Sequence, residues 1–414
     1  MSTTQSKAIL VRMQKGGVPT DIFDRHLANE EGIVDSPLVI GNKALLLRDG
    51  PATFQAMFGA IRAAKDHVHM ETYLIEDDEV GNKFADELVA KQAQGVQVSL
   101  IYDSVGALAA PRSFFERLTR GGVRVLEFNP VNPLAAKMGW DLNRRDHRKL
   151  LIVDGSLAFV GGINISSVYS SGSFGKAVKR HADGSPPWRD THLQIEGPVV
   201  AEFQKLFLES WDKQRGDPLP AYLPFPPLPS RGNEVIRAIG STPDAPSNLI
   251  HRTLLSAIDS ADTSVHLTNA YFVPDPQLMT ALLAAAARGV DVRLILPGAT
   301  DFWLVFHAGR SHYSQLLQHG VKIHERQGAL LHAKTAVIDG VWSTIGSSNM
   351  DWRSLLHNDE IAAVILGRDF GAQMQAMFAA DLAQSTEVTL QAWRERPLVD
   401  RARELAAILW RYWL

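Results

Sequence analysis

Residues 146–164 read Asp-His-Arg-Lys-Leu-Leu-Ile-Val-Asp-Gly-Ser-Leu-Ala-Phe-Val-Gly-Gly-Ile-Asn. His147, Lys149 and Asp154 stand in the spacing H-x-K-x4-D, followed by Gly161, Gly162 and Asn164. The arrangement returns as His332, Lys334, Asp339, Gly346, Ser347 and Asn349, each 185 residues beyond its counterpart. Spacing that repeats without slippage marks two copies of one half-site.

Outward from the first copy, Phe54, Met57, Phe58 and Ile61 fall at helical spacing within Pro51–Ala64, and Val68–Ile75 alternates as a strand. A helix over Gly81–Gln94, a strand over Val96–Tyr102, a helix over Pro111–Arg120 and a strand over Val123–Phe128 follow. The second half replays this as Leu249–Ala261, Val265–Val273, Pro276–Arg288, Val290–Leu296, Ser311–His319 and Val321–His324. Tyr73 and Tyr271 are 198 apart, as are Gly122–Val125 and Gly320–Ile323. Repeated α/β alternation with an internal repeat predicts two similar α/β/α sandwich domains forming a pseudo-dimer, with the active site at their interface.

The expected divisions are a poorly packed or partly disordered leader (1–36), a first domain (37–217), a linker (218–231), a second domain (232–391) and an amphipathic tail (392–414). The linker follows from Pro218, Pro220, Pro224, Pro226, Pro227 and Pro229, which exclude regular structure. The fall in offset from 198 to 185 puts 13 extra residues of the first half within Asn129–Asn143, just before His147. A second excess lies in the Ser/Gly/Lys-rich run Tyr169–Pro187, since Asn164 to Asp190 spans 26 residues and Asn349 to Glu360 spans 11. Such loops beside a motif carry substrate selection, or are tolerated surface insertions.

The 414 residues exceed the usual size of one core, and 45% hydrophobic with 21% charged residues describes an ordinary globular chain. A net charge of −3 argues against a nucleic-acid partner. The absence of cysteine excludes disulfides, Cys-ligated zinc and thiol catalysis. No run approaches the roughly 18–20 apolar residues needed to span a bilayer, so the expected protein is soluble or peripheral.

On a strand, His147 and Lys149 project to the same side. Two half-sites face to face supply two imidazoles, two ammoniums and two amides around one anion, an inventory that suits a phosphodiester. One histidine attacks phosphorus and the other protonates the leaving alkoxide. Lys149, Lys334, Asn164 and Asn349 would neutralise the non-bridging oxygens. No metal and no other cofactor is then required. Asp154 and Asp339 complete the motif and count with its catalytic set. Asp190 and Glu360 are candidates to fix the histidines in tautomer and orientation.

The doubled motif with its Gly-[Gly/Ser]-x-Asn tail resembles the phospholipase D superfamily over about Leu38–Thr389. Within it the chain resembles bacterial cardiolipin synthases. Glu71-Thr72-Tyr73, Asp146–Lys149, Trp188–His192, Glu196–Val199, Leu330–Lys334 and Gly346–Ser354 carry that likeness. The resemblance implies a phosphatidyl-histidine intermediate, with His147 as nucleophile and His332 as acid and then base. Spacing alone leaves those roles open. Many cardiolipin synthases open with two transmembrane helices, and this chain looks like the shorter type without them.

The resemblance implies an enzyme of phospholipid biosynthesis, a phosphatidyltransferase making cardiolipin from phosphatidylglycerol, with phosphatidylethanolamine or cardiolipin as further lipid substrates. A phospholipase D-type hydrolase is the alternative, and a nuclease of the superfamily a more remote one. The expected location is peripheral, on the cytoplasmic side of the cell membrane. Leu398–Leu414 combines Leu405, Ile408, Leu409, Trp410, Tyr412, Trp413 and Leu414 with Arg401, Arg403 and Arg411. It suits a membrane interface, or packing on the protein body. Met138 and Trp140, and Phe302, Trp303 and Phe306, are candidates for acyl-chain contact or for core.

Overall fold

A computed structural model of the chain describes residues 22–31, 33, 36–132, 141, 143–173, 184–219 and 225–410. The first half supplies strands β1 (Val39–Arg48), β2 (His67–Thr72), β3 (Gln97–Asp103), β4 (Arg124–Phe128), β5 (Arg145–Asp146), β6 (Lys149–Val153), β7 (Leu157–Gly161), β8 (Trp188–Arg189) and β9 (Thr191–Glu196). The second supplies β10 (Glu234–Ser241), β11 (Ser264–Asn269), β12 (Asp291–Pro297), β13 (Lys322–Arg326), β14 (Leu330–Leu331), β15 (Lys334–Ile338), β16 (Trp342–Gly346), β17 (Asn358–Leu366) and β18 (Ser385–Val388).

Each half orders its strands the same way, as β4-β3-β2-β6-β7-β9-β1 and as β13-β12-β11-β15-β16-β17-β10. Antiparallel pairing of β1 with β10, Val39 opposite Ile236, joins them into one continuous sheet. β18 extends it beside β13. The predicted α/β repeat is therefore present as two copies sharing a sheet.

Strand alternation decides which core each residue enters. On β6, Leu151 and Val153 join the first half's own core with Phe84 and Leu88, while Leu150 and Ile152 face a core shared by both halves. That shared core is capped by the helices Val200–Lys213 and Arg368–Leu382, through Phe203, Phe207, Met374 and Met377. Leu219 and Leu228, from the described ends of the proline-rich segment, pack against it.

Two expectations are corrected. Within the 1–36 leader, Ile22–Glu31 is a helix with Leu27, His26 and Glu30 buried on the second half. Glu30 accepts from Trp342 Nε1 at 2.9 Å and pairs with Arg237 at 3.0 Å, so polar anchors replace the missing apolar periodicity. The helix expected over Ser311–His319 is present as Tyr313–Gln318, and a further helix, Trp303–Arg310, precedes it.

The second correction concerns Asp154 and Asp339. Each sits with its glycine in left-handed backbone (φ 51° and 58°; 53° and 65°), in the three-residue turn that closes β6–β7 and β15–β16. The Asp154 carboxylate accepts from the backbone N–H groups of Lys65, Asp66 and His67. Asp339 accepts from those of Asp262, Thr263 and Ser264, and His26 Nε2 lies 3.0 Å from it. Four strand residues, at roughly 3.3 Å each, lie between these aspartates and the motif lysines. They hold strand ends and do not reach the histidines.

Met138 and Trp140, most of the Tyr169–Pro187 run, and Tyr412, Trp413 and Leu414 lie outside the described residues.

Candidate active site

Two short parallel pairings between the halves place the histidines. β5, just before His147, runs beside the start of β17, with Asp146 opposite Asp359, and His147 N–H donates to the Asp359 carbonyl at 2.9 Å. Reciprocally β14, just before His332, runs beside β8, and His332 N–H donates to the Arg189 carbonyl at 2.8 Å. Each histidine therefore lands beside the next residue of the other half's strand. His147 Nδ1 lies 3.0 Å from Glu360 Oε1, and His332 Nδ1 lies 2.6 Å from Asp190 Oδ2. Arg144–Asp359 at 2.8 Å and Arg189–Asp381 at 2.7 Å, all four side chains buried, brace the two pairings from behind.

The glycines make room for this crossing. A Cβ at Gly161 would strike the Thr191 carbonyl, and at Gly346 the Ile361 carbonyl, each one residue beyond the orienting carboxylate. A Cβ at Gly162 would collide with Asp190 Oδ1. Its counterpart Ser347 is tolerated and donates its hydroxyl to Glu360. The close approach that the motif's glycines permit is thus to the neighbouring strand.

Lys149 and Lys334 are buried, and each ammonium donates to the carbonyl of its own motif histidine. Burial lowers Lys149 to about 7, with Lys334 adding repulsion against the attraction of Glu360. Burial likewise lowers Lys334 to about 8 against the pull of Asp190 and Glu360. Burial takes His147 down to about 4 despite Glu360, and burial with the Lys334 charge lowers His332. Burial alone would raise the carboxylates, but His147 and Lys149 bring Glu360 to about 2, and His332 and Lys334 bring Asp190 below its usual value. The balance is two ionised carboxylates, each accepting from an imidazole Nδ1–H, with Nε2 left as the ring nitrogen available to a substrate.

Both histidines line a cleft of about 520 Å³ with Asn164 and Asn349. Asn164 accepts from Leu74 N–H and donates to the Tyr169 hydroxyl, both at 3.3 Å. Asn349 Oδ1 is buried without a hydrogen-bond partner among the described residues. Asp154 and Asp339 are absent from the lining.

Several cleft residues had no assigned role in the sequence. Tyr169 places its hydroxyl 3.1 Å from His332 Nδ1, and Trp188 stacks obliquely on the same ring at 5.2 Å. Tyr73 meets His147 edge-on at 5.1 Å and Tyr271 meets His332 at 6.3 Å, a pairing that the 198-residue offset between the tyrosines signalled. Tyr271 also donates to Asp301 at 2.7 Å.

A family profile described as "Cardiolipin synthase, PLD-like domain" matches residues 57–173 and 254–382. A cardiolipin synthase of Geobacillus thermodenitrificans is 35% identical over 382 residues, covering 92% of this chain and 73% of its own. Cardiolipin synthase A of Pseudomonas putida is 37% identical over 363 residues, covering 87% and 72%. Among solved structures, phosphatidylserine synthase of Haemophilus influenzae superposes with a TM-score of 0.66 at 13% identity, over 94% of this chain and 100% of that one. At that identity the likeness concerns the fold.

Proposed function

This chain belongs to the PLD-like cardiolipin synthase family, and we propose that it is a phosphatidyltransferase that moves the phosphatidyl group of one phospholipid onto a hydroxyl of phosphatidylglycerol, making cardiolipin. The observation that carries this reading is the pair of imidazoles in one cleft, each tied at Nδ1 to a carboxylate of the opposite half.

His147, neutral with its value lowered to about 4, attacks the donor phosphorus through Nε2. The bond from phosphorus to the leaving headgroup's oxygen breaks, and His332 gives that oxygen the proton on its Nε2. The arriving phosphate's charge favours the protonated forms of His332 and both lysines that burial opposes. The phosphatidyl group is then held on His147 by a P–N bond. His332, now neutral, takes the proton of the phosphatidylglycerol hydroxyl, whose oxygen attacks phosphorus as the P–N bond breaks. Lys149, Lys334, Asn164 and Asn349 stabilise the charge on the non-bridging oxygens. Asp190 and Glu360 orient the rings, and no metal takes part in these steps.

Phosphatidylglycerol serves as donor and acceptor, with phosphatidylethanolamine or cardiolipin as further donors. The site of action is the cytoplasmic face of the membrane, reached peripherally. Among the described residues no helix is long and apolar enough to cross a membrane.

The test incubates purified protein with phosphatidylglycerol vesicles, beside His147→Ala and His332→Ala, and separates the lipid products. Cardiolipin from the wild type alone supports the reading. Phosphatidic acid as sole product replaces it with hydrolysis. A second arm traps the enzyme with donor labelled in the phosphate. Label that is base-stable, acid-labile and lost in His147→Ala supports the covalent histidine.

A further inference from the structure

The helix Leu398–Ile408 packs one face against the helix Trp303–Arg310, with Ala407 among Val273, Val305 and Ala308. On the same face Glu404 is buried and paired with Arg396 at 2.7 Å. A helix docked on a protein body turns its polar side to water. Here the opposite side is apolar. At about 100° per residue, Leu398, Ala402, Leu405, Ala406 and Leu409 fall on the face away from Glu404 and Ala407. Leu398, Leu405 and Leu409 are 78%, 70% and 79% exposed. Arg401 and Arg403 are exposed along the two borders of this stripe, and Trp410, 56% exposed, continues it past the helix end.

Exposed apolar residues also stand at the cleft. The helix against which Ala407 packs begins at Trp303, 49% exposed, and the preceding Phe302, 48% exposed, lines the catalytic cleft. Scattered exposed leucines need no explanation, but a stripe of three along one helix face does.

We propose that this face seats the enzyme on a bilayer bearing anionic headgroups, with Leu398, Leu405, Leu409 and Trp410 in the interfacial layer and Arg401 and Arg403 at the phosphates. The proposal rests on the phospholipid-transfer reading above. A diacyl substrate keeps its chains in the bilayer while its headgroup reaches His147 and His332, so the cleft mouth must face the lipid. The exposed Phe302 and Trp303 bring apolar surface to that mouth. Guanidiniums flanking a leucine stripe lay their alkyl stems along it and present charge to headgroups. A second copy of the chain could cover the leucines, but that would not account for the exposed Phe302 and Trp303 beside the cleft.

The test compares the full-length wild type with a Leu405→Glu/Leu409→Glu double variant in co-sedimentation with vesicles of phosphatidylglycerol and phosphatidylcholine in equal parts, and of phosphatidylcholine alone. The wild type is expected to pellet with the mixed vesicles and less with phosphatidylcholine. The double variant should lose at least about tenfold in apparent affinity, since two buried leucines contribute well over one decade. Its circular dichroism and melting temperature should match the wild type, because both positions are exposed. Its turnover of a short-chain phosphatidylglycerol kept monomeric in solution should be unchanged. Equal sedimentation of the two proteins overturns the proposal. So does a wild-type dimer that the variant loses while neither protein binds vesicles. If the wild type turns over no phospholipid yet the variant alone loses vesicle binding, the transfer reading fails and the docking face stands.

Discussion

Asp190 Oδ2 approaches His332 Nδ1 to 2.6 Å, closer than either Glu360 oxygen approaches His147 Nδ1, at 3.0 and 3.1 Å. One carboxylate grips its ring through a single short bond. The other straddles its ring symmetrically and also accepts from Ser347 and Asn358. The two half-sites are alike in plan and unequal in detail.

Asp190→Asn and Glu360→Gln keep shape and remove charge. Each should lower kcat by about 100-fold or more, the scale of general acid–base catalysis, with little change in melting temperature. Steady-state kinetics on phosphatidylglycerol vesicles would check this. A loss under about threefold in both variants would remove the orienting role.

Gly162→Ala places a methyl group against the Asp190 carboxylate and should abolish most turnover by displacing His332. Ser347→Ala leaves Glu360 with His147 and Asn358, so its loss should stay within about tenfold, as for one hydrogen bond. Equal effects in a side-by-side assay would contradict the asymmetry.

The pH profile of kcat/KM should be bell-shaped. On the acid side His147 loses its free lone pair near about 4. On the alkaline side His332, lowered by burial and the Lys334 charge, first loses the proton it must give, and Lys149 near about 7 and Lys334 near about 8 follow. Lys149→Arg, whose guanidinium keeps its proton, should lower the maximum and remove the Lys149 step from the alkaline limb. Monomeric short-chain phosphatidylglycerol is the substrate to use, and a profile flat across the alkaline range would exclude the lysines.

Asp339 acts on stability. Burial would raise its carboxyl, but His26 and the N–H groups of Ser264, Asp262 and Thr263 hold it well below the usual range. A depressed folded-state value contributes stability above the unfolded value, and that stability is lost as pH falls through the folded one. Asp339→Ala should cost about 1–3 kcal/mol at neutral pH and less in acid, as read from urea midpoints at several pH values. A variant with wild-type stability and no activity would return Asp339 to the chemistry.

The parts of the fold legible in sequence were those with strong local periodicity. The motif strands, the helices ahead of them and the repeat followed from spacing, while the helices after them, Val200–Lys213 and Arg368–Leu382, were not read. β17 was missed because Ile361–Leu366 is a continuous apolar run, which suits a buried strand and a buried helix equally. The histidines could be paired with Asp190 and Glu360 as candidates, but not crossed between halves. That crossing rests on β5 and β14, strands of two residues with no compositional signal. Asp154 and Asp339 were misplaced because constant spacing shows that a residue matters without showing what it touches. Tyr169 opens a Ser/Gly-rich run whose aperiodicity hides a residue that reaches the site.

The exchange of carboxylates across the sheet also bears on ancestry. Either half alone carries a histidine without its anchor and an anchor without its histidine. A single-copy forerunner could therefore have worked only as two identical subunits, each completing the other. In the two-copy chain the anchors differ, an aspartate beside Gly162 and a glutamate beside Ser347. Each anchor is matched to a neighbour on its own half, while the penalty for a mismatch falls on the histidine of the other.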